Sequence, residues 1–251
     1  MDFEDSPELA PFRKEVRACL EGNAEARRGD DLDWSRNVSS IDPEVAEGFR
    51  RRCHEWQATL FENGWAGLTL PESFGGRGLS AAHQIVFNQE LANFDATAGF
   101  ITAYQALVGP TLMQHGTPAQ QDRYIEPLLS GEEVWCQLFS EPGAGSDLAS
   151  LATRAVRDGD EWVVDGQKVW TSGAQHADFG ILIARTDPDA PKHTGITFFI
   201  VDRSTPGIEV RPLVQAQGVA HVNEVFLSGV RLPAANVVGE VGDGGRVART
   251  P

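Results

Sequence analysis

The sequence predicts an α+β, multidomain chain: an all-helical N-terminal domain over residues 1–133, then a middle antiparallel β-domain of barrel or sandwich type over 134–232. Three observations carry this. Apolar residues recur at steps of three and four up to about Glu133, and at steps of two beyond it. Six short runs rich in β-branched or aromatic residues then follow with no helical pattern between them, which argues against a Rossmann sheet. Turn chemistry punctuates these runs, and Asp158-Gly159 between two of them predicts a tight hairpin. Residues 233–251 read as a linker into something further.

The elements can be justified in order. Asp42-Pro43 supplies an N-cap with proline at the first helical position. Val45, Phe49, Cys53, Trp56 and Leu60 follow as one apolar stripe, and Asn63-Gly64 gives a left-handed stop. A glycine-rich connector, LPESFGGRGLS at 70–80, leads to two predicted helices over roughly 81–94 and 98–114. Thr117-Pro118 opens another, with Gln120 placed to close a capping box, and it runs through Tyr124 and Leu128 to Gly131. The predicted strands are 134–139, 152–157, 161–165, 179–185, 196–202 and 222–227.

Composition narrows the function classes. With 41% apolar and 23% charged residues the chain has the balance of a globular protein. Its net charge of −15 argues against nucleic acid or an anionic membrane as the main partner, so an anionic ligand would be held by local backbone N–H groups and a few cations. No apolar run is long enough to span a membrane. The acidic start MDFEDSPELA carries no leader pattern. Cys19, Cys53 and Cys136 are far apart and odd in number, which predicts reduced thiols and a cytoplasmic location. There is no Gly-x-Ser-x-Gly, His-Glu-x-x-His or Cys-x-x-Cys motif, and the six histidines are scattered, so no metal site is expected.

Two segments carry candidate chemistry. SEPGAGSD at 140–147 lies between strand-like runs. It lacks the Lys-Ser/Thr of a P-loop and the third glycine of a dinucleotide fingerprint. Gly143 and Gly145 would let the backbone approach a ligand or take positive φ, while Ser140 and Ser146 add hydroxyls; successive N–H groups in such a turn can hold an anion. On these eight residues alone an ordinary strand-connecting turn is the simpler reading. In GQKVWTSGA at 166–174, Trp170 stands two residues before Ser172, and Gly173 marks where the strand should end. A flat π-surface beside a hydroxyl suits a planar heteroaromatic ring, although a strand tryptophan is by default core.

Taken together the segments resemble the acyl-CoA dehydrogenases, FAD enzymes of acyl-CoA oxidation. The pieces LPESFGGRGLS, QLFSEPGAGSDLASLATRA, DGDEWVVDGQKVWTSGAQHADFGILIARTD, GITFFIVDRSTPGIEVRP, VNEVFLSGVRLPAANVVGEVG and GDGGRVA stand in that family's order, from about residue 10 to 249. The resemblance implies an N-terminal helical domain, a middle β-domain and a C-terminal four-helix domain. It implies that Gln137 and Phe139, through their main chain, and the Ser140 hydroxyl would hydrogen-bond the isoalloxazine ring. Ser146 would sit at the pyrophosphate and near the CoA chain of the acyl-CoA substrate, Trp170 would pack against the flavin, and Ser172 would lie near flavin N5.

The reaction so implied is α,β-dehydrogenation of an acyl-CoA thioester to a 2-enoyl-CoA, with an electron-transferring flavoprotein as electron acceptor. The family's catalytic base is a glutamate of the C-terminal domain, so it is expected beyond Pro251, and 233–251 reads as a linker and the start of that domain. Gly245 departs from the family pattern, which usually has tryptophan or phenylalanine there. A homo-oligomer is implied, or a heteromeric arrangement in which a partner chain supplies the missing parts. A non-catalytic FAD- or acyl-CoA-binding subunit and an inactive remnant are the alternative readings.

Overall fold

The computed structural model describes residues 5–27, 43–216, 218 and 220–250. The expected cap Asp42, the first four residues of the N-terminal stretch and Pro251 lie outside them. Contacts divide the chain into two compact units, Met1–Ile101 with Leu129–Glu132, and Thr102–Leu128 with Glu133–Pro251.

In the first unit, α1 (Leu9–Asn23) was not singled out by the sequence, yet it places Phe12, Val16 and Leu20 at steps of four on a buried face. α2 (Pro43–Glu62) buries Phe49, Cys53, Trp56 and Leu60 as expected. Val45 does not belong to the stripe: it is 55% exposed, in the first turn, where the helix face has not yet met the core. Gly64 takes φ 70° and ends the helix as predicted. α3 (Ala81–Leu91) packs on α1, and Phe12, Val16, Leu20, Trp56, Leu60, Trp65, Val86 and Phe87 share one core cluster. Glu90 of α3, almost fully buried, accepts from both Arg13 and Arg17 of α1 at 2.9 Å, so its charge is paired rather than stranded.

α4 (Phe100–His115) and α5 (Pro118–Ser130) place most of their length in the second unit. The capping box forms: Thr117 N–H donates to Gln120 Oε1 (3.0 Å) and Gln120 N–H to Thr117 Oγ1 (3.2 Å). Gln120 Nε2 also donates to the carbonyls of Ala235 and Val237 at 2.8 and 2.9 Å.

The sheet contains β1 (Trp135–Leu138), β2 (Arg154–Asp158), β3 (Glu161–Ser172), β4 (Phe179–Arg185), β5 (Ile196–Asp202), β6 (Ile208–Leu213), β7 (Val222–Pro233) and β8 (Val237–Val238). The order is β6-β7-β3-β2-β4-β5-β8, mostly antiparallel, with β1 parallel to β4. The predicted hairpin joins β2 to β3, with Asp158 opposite Glu161 and Gly159 at φ 61°. β6 and β8 were not predicted. β6 is an edge strand whose Glu209, Arg211 and Pro212 blur the alternation, and its partner β7 rather than its own pattern makes it a strand. β3 and β7 run longer than expected because β3 is bulged, which breaks its period of two. Tyr124 of α5 meets Trp135 and Phe179 edge-on, each at 5.3 Å, and thereby seats α5 on β1 and β4. A four-residue helix, α6 (Gly244–Val247), follows β8. No described helix is long and apolar enough to cross a membrane.

Gln120 satisfies groups through both atoms of its side-chain amide, so Gln120→Ala should lower the unfolding free energy by about 2–3 kcal/mol. Urea denaturation measures this, and a loss below about 0.5 kcal/mol would show that water replaces the bridge.

Candidate functional site

The chain leaves β1 at Leu138 and re-enters the sheet at Arg154, so SEPGAGSD sits on a long loop over β3. Buried hydrogen bonds hold that loop. The Ser140 carbonyl accepts from Val169 N–H (2.9 Å), and Glu141 and Ala144 exchange backbone bonds at 2.9 and 3.1 Å, closing a tight turn around Pro142-Gly143. The Glu141 carboxylate points inward, accepting from the N–H groups of Ala152 (2.6 Å) and Thr153 (3.0 Å) and from Lys168 Nζ (2.8 Å). Lys168 Nζ also donates to the Phe139 carbonyl at 3.0 Å. Lys168 has no exposed surface and Glu141 is 8% exposed.

Both groups titrate away from their ordinary values. Burial pushes the Lys168 ammonium down from 10.5 to about 8, with Glu141 offsetting part of the shift. Burial alone would raise Glu141. The Lys168 charge and the hydrogen bonds from Lys168, Thr153 and Ala152 outweigh it and hold the carboxyl below its usual range.

The outer side of the loop is bare. Ser146 is exposed, and a Cβ added to Gly143 or Gly145 would meet nothing within 4 Å. Neither glycine takes positive φ, contrary to one of the two roles the sequence suggested for them. What remains is the other role, a rim without side chains. Beyond it a cleft of about 270 Å³ is lined by Ser146, Leu148, Ile183, His193, Ile196 and Arg249.

The second segment is the C-terminal end of β3. Lys168 pairs with Val225 and Thr171 with Asn223, so Val169 and Trp170 together oppose the single residue Glu224. At this bulge Trp170 takes φ 61°, the only non-glycine residue in the left-handed region among the described residues. Trp170 is 63% exposed, while Val169 and Thr171 on either side are buried. A strained tryptophan held outward in this way is not serving the core.

The bulge is pinned from behind. Asn223, fully buried, donates through Nδ2 to the Thr171 carbonyl (2.9 Å) and contacts Gln175, and Tyr104 Oη donates to the Ser172 carbonyl (2.8 Å). Ser172 is exposed and Gly173, at φ 68°, ends the strand where expected.

The predicted site residues therefore differ in situation. The Ser140 carbonyl joins the loop to β3 one residue before Trp170, which brings those two segments together, and Ser172 follows on the same strand. Ser146 lies farther along the loop, at the cleft. Gln137 is half-buried in β1 opposite Ile181. The Phe139 side chain is core, edge-on to Phe198 at 5.8 Å, so only its main chain is available, and its carbonyl already accepts from Lys168. Lys168, Glu141, Tyr104 and Asn223 were not anticipated as parts of the site.

Comparison with known proteins identifies the family. Residues 34–132 match the family model of the acyl-CoA dehydrogenase N-terminal domain, and 136–230 that of the middle domain. The chain belongs to the acyl-CoA dehydrogenase family. It is 45% identical over 245 residues to acyl-CoA dehydrogenase FadE34 of Mycobacterium tuberculosis, covering 94% of this chain and 33% of that one. It is 46% identical over 202 residues to acyl-CoA dehydrogenase IpdE1 of the same organism, covering 80% and 52%. Among solved structures it resembles the Tcur3481-Tcur3483 steroid ACAD, with TM-score 0.80, 39% identity and coverage of 100% of this chain and 62% of that one. It also resembles the ChsE4-ChsE5 complex from Mycobacterium tuberculosis, with TM-score 0.77, 34% identity and coverage of 98% and 60%. The chain thus spans a third to a half of these curated relatives and about three-fifths of the solved chains.

Acyl-CoA dehydrogenases are FAD-dependent flavoproteins. The residues present fit that cofactor: an outward indole and a hydroxyl for a planar ring, on a strand tied through Ser140 to a loop whose Gly143 and Gly145 leave room for a ligand.

Two measurements probe this site without cofactor. At a left-handed position the usual strand preference for alanine over glycine inverts, so Trp170→Gly should be more stable to urea than Trp170→Ala by about 1 kcal/mol. Equal stability, or alanine ahead, would mean that the bulge relaxes in solution. The second test concerns Lys168. Between about pH 8 and 10.5 the unfolded chain carries the proton that the folded chain has lost, so unfolding free energy rises with pH across that window. From pH 7.5 to 9.5 the unmodified chain should therefore gain about 1–2 kcal/mol relative to the double variant Lys168→Met with Glu141→Gln, which carries no buried charge at this site. Parallel pH dependences would refute a buried, titrating ammonium.

Proposed function

We propose that this chain forms the flavin-holding part of an FAD-dependent acyl-CoA dehydrogenase that converts an acyl-CoA thioester to a 2-enoyl-CoA. The observation that carries the proposal is Trp170, held outward in a left-handed bulge whose preceding residue, Val169, is hydrogen-bonded to Ser140 of the SEPGAGSD loop. In this reading main chain of Gln137 and Phe139 and the Ser140 hydroxyl hydrogen-bond the isoalloxazine. Trp170 packs on the ring, Ser172 faces the N5 region, and Ser146 serves the pyrophosphate and the CoA chain at its cleft. Bound FAD supplies the acceptor for the substrate β-hydride. The chain's own residues hold, orient and shield.

The base that takes the α-proton is proposed to lie outside these 251 residues. Glu141 is the carboxylate of the flavin-facing loop that a search for a base would pick. It is committed inward to Lys168 and two N–H groups, and is held ionised there. A homo-oligomer or a partner chain would complete the site, and an electron-transferring flavoprotein would take the electrons. The similarity to a steroid ACAD makes a steroid-derived acyl-CoA the first substrate to try. A cytoplasmic setting suits Cys19, Cys53 and Cys136, all free thiols.

Titration of the purified chain with FAD, followed by flavin absorbance and tryptophan fluorescence, tests the reading. The unmodified chain should bind weakly, and Trp170→Gly should weaken binding by about tenfold or more, equivalent to about 1.4 kcal/mol. Adding acyl-CoA to the FAD-loaded chain should not bleach the flavin. No change in flavin spectrum or tryptophan fluorescence at any FAD concentration sinks the cofactor assignment, and bleaching sinks the assignment of the base to residues outside the chain.

A further inference from the structure

We propose that Lys168 is a positioning residue, whose buried ammonium presets the Phe139–Ser140 peptide and locks the loop that would face the flavin to the strand that carries Trp170. The inference rests on the flavin reading above and goes beyond it, because Lys168 itself would touch neither cofactor nor substrate.

The stretch between β1 and β2 has only one 3₁₀ turn of its own, Leu148–Ser150, and a loop of this length is ordinarily mobile. Here both of its limbs converge on one buried ion pair. Lys168 Nζ reaches the Phe139 carbonyl (3.0 Å) at the start of the loop and the Glu141 carboxylate (2.8 Å) just after it. The same carboxylate takes the N–H groups of Ala152 and Thr153 at the loop's far end. Lys168 is fully buried in β3, on the bulge that turns Trp170 outward. Loop start, loop end and bulge are therefore joined through one buried ammonium–carboxylate pair.

The direction of the Phe139 carbonyl has a consequence. All described peptide bonds are trans, so the Ser140 N–H points opposite to that carbonyl, away from the buried ammonium. The Ser140 carbonyl is in turn fixed by Val169 N–H. Both peptide planes around Ser140 are thus set by β3 in the absence of any cofactor, one by the Lys168 side chain and one by the backbone just before Trp170. Such preorganisation lowers the ordering cost of binding. A purely structural ion pair would raise stability and leave binding alone, and this difference can be measured.

Lys168→Met alone strands the Glu141 charge and risks unfolding, so the variant of choice is Lys168→Met with Glu141→Gln, which removes both charges together. Hydrogen–deuterium exchange on the cofactor-free chain should show faster exchange over 139–147 in the double variant, with the rest of the sheet unchanged. FAD titration of the same variant should show a Kd raised at least tenfold, while its urea midpoint stays near that of the unmodified chain. Unchanged exchange over 139–147, or an unchanged FAD affinity, overturns the proposal. If the unmodified chain binds no FAD, the cofactor reading fails on its own, and the exchange result still upholds or overturns the clamp.

Discussion

An ammonium with no exposed surface is expensive to bury, and the second unit arranges the loop between β1 and β2 around the need to satisfy one. Isolated in the interior, the charge of Lys168 would cost several kcal/mol. Its partners are a carboxylate and a backbone carbonyl, and the carboxylate spends its remaining acceptor capacity on two backbone N–H groups. Each member of the network is satisfied by the others, and together they fix both ends of the loop against β3. That arrangement leaves the glycine rim facing outward with nothing across from it.

The strain at Trp170 follows from the same arrangement. With Lys168 and Val169 both committed inward, a strand with a period of two would turn Trp170 inward as well or leave the ladder. A bulge admits an extra residue and rotates the next side chain outward, at a cost of roughly 1–2 kcal/mol for the left-handed backbone. Asn223 and Tyr104 hold the carbonyls immediately after it, so the strain is retained instead of relaxing. Glycine would sit there without strain, and an exposed indole gains little from burial. Tryptophan at this position makes physical sense as a surface presented to something planar.

Much of the architecture could be read directly. The capping box at Thr117 and Gln120, the hairpin at Gly159 and the strand stop at Gly173 are local devices whose residues announce them. Edge strand β6 could not be read, because charged residues and a proline carry no period and its register comes from β7. α1 was overlooked although its steps of four are regular. Val45 shows the opposite error: a correct period continued one turn past the core. Within the site, SEPGAGSD and GQKVW drew notice for their glycines, serines and tryptophan. The residues that organise them, Glu141 and Lys168, were already inside those strings. Their roles are set by burial across 27 positions of sequence, which pattern does not encode.

Charge at the rim completes the physical case for an anionic cofactor on an acidic chain. Asp147 adjoins Ser146 and, unpaired, would repel a pyrophosphate placed there. Lys192 Nζ lies 2.5 Å from Asp147 Oδ2, and that hydrogen bond heads the influences that keep the aspartate ionised. An exposed pair of this kind contributes little to stability. Its local effect is to replace a negative charge by a dipole, with Arg249 and His193 across the same cleft. A chain of net charge −15 can then hold a phosphate-bearing ligand through local geometry, without a positive overall field. The two carboxylates of the SEPGAGSD loop are thereby both committed: that of Glu141 is turned inward as a structural anion, and that of Asp147, in the cleft lining, is paired with Lys192.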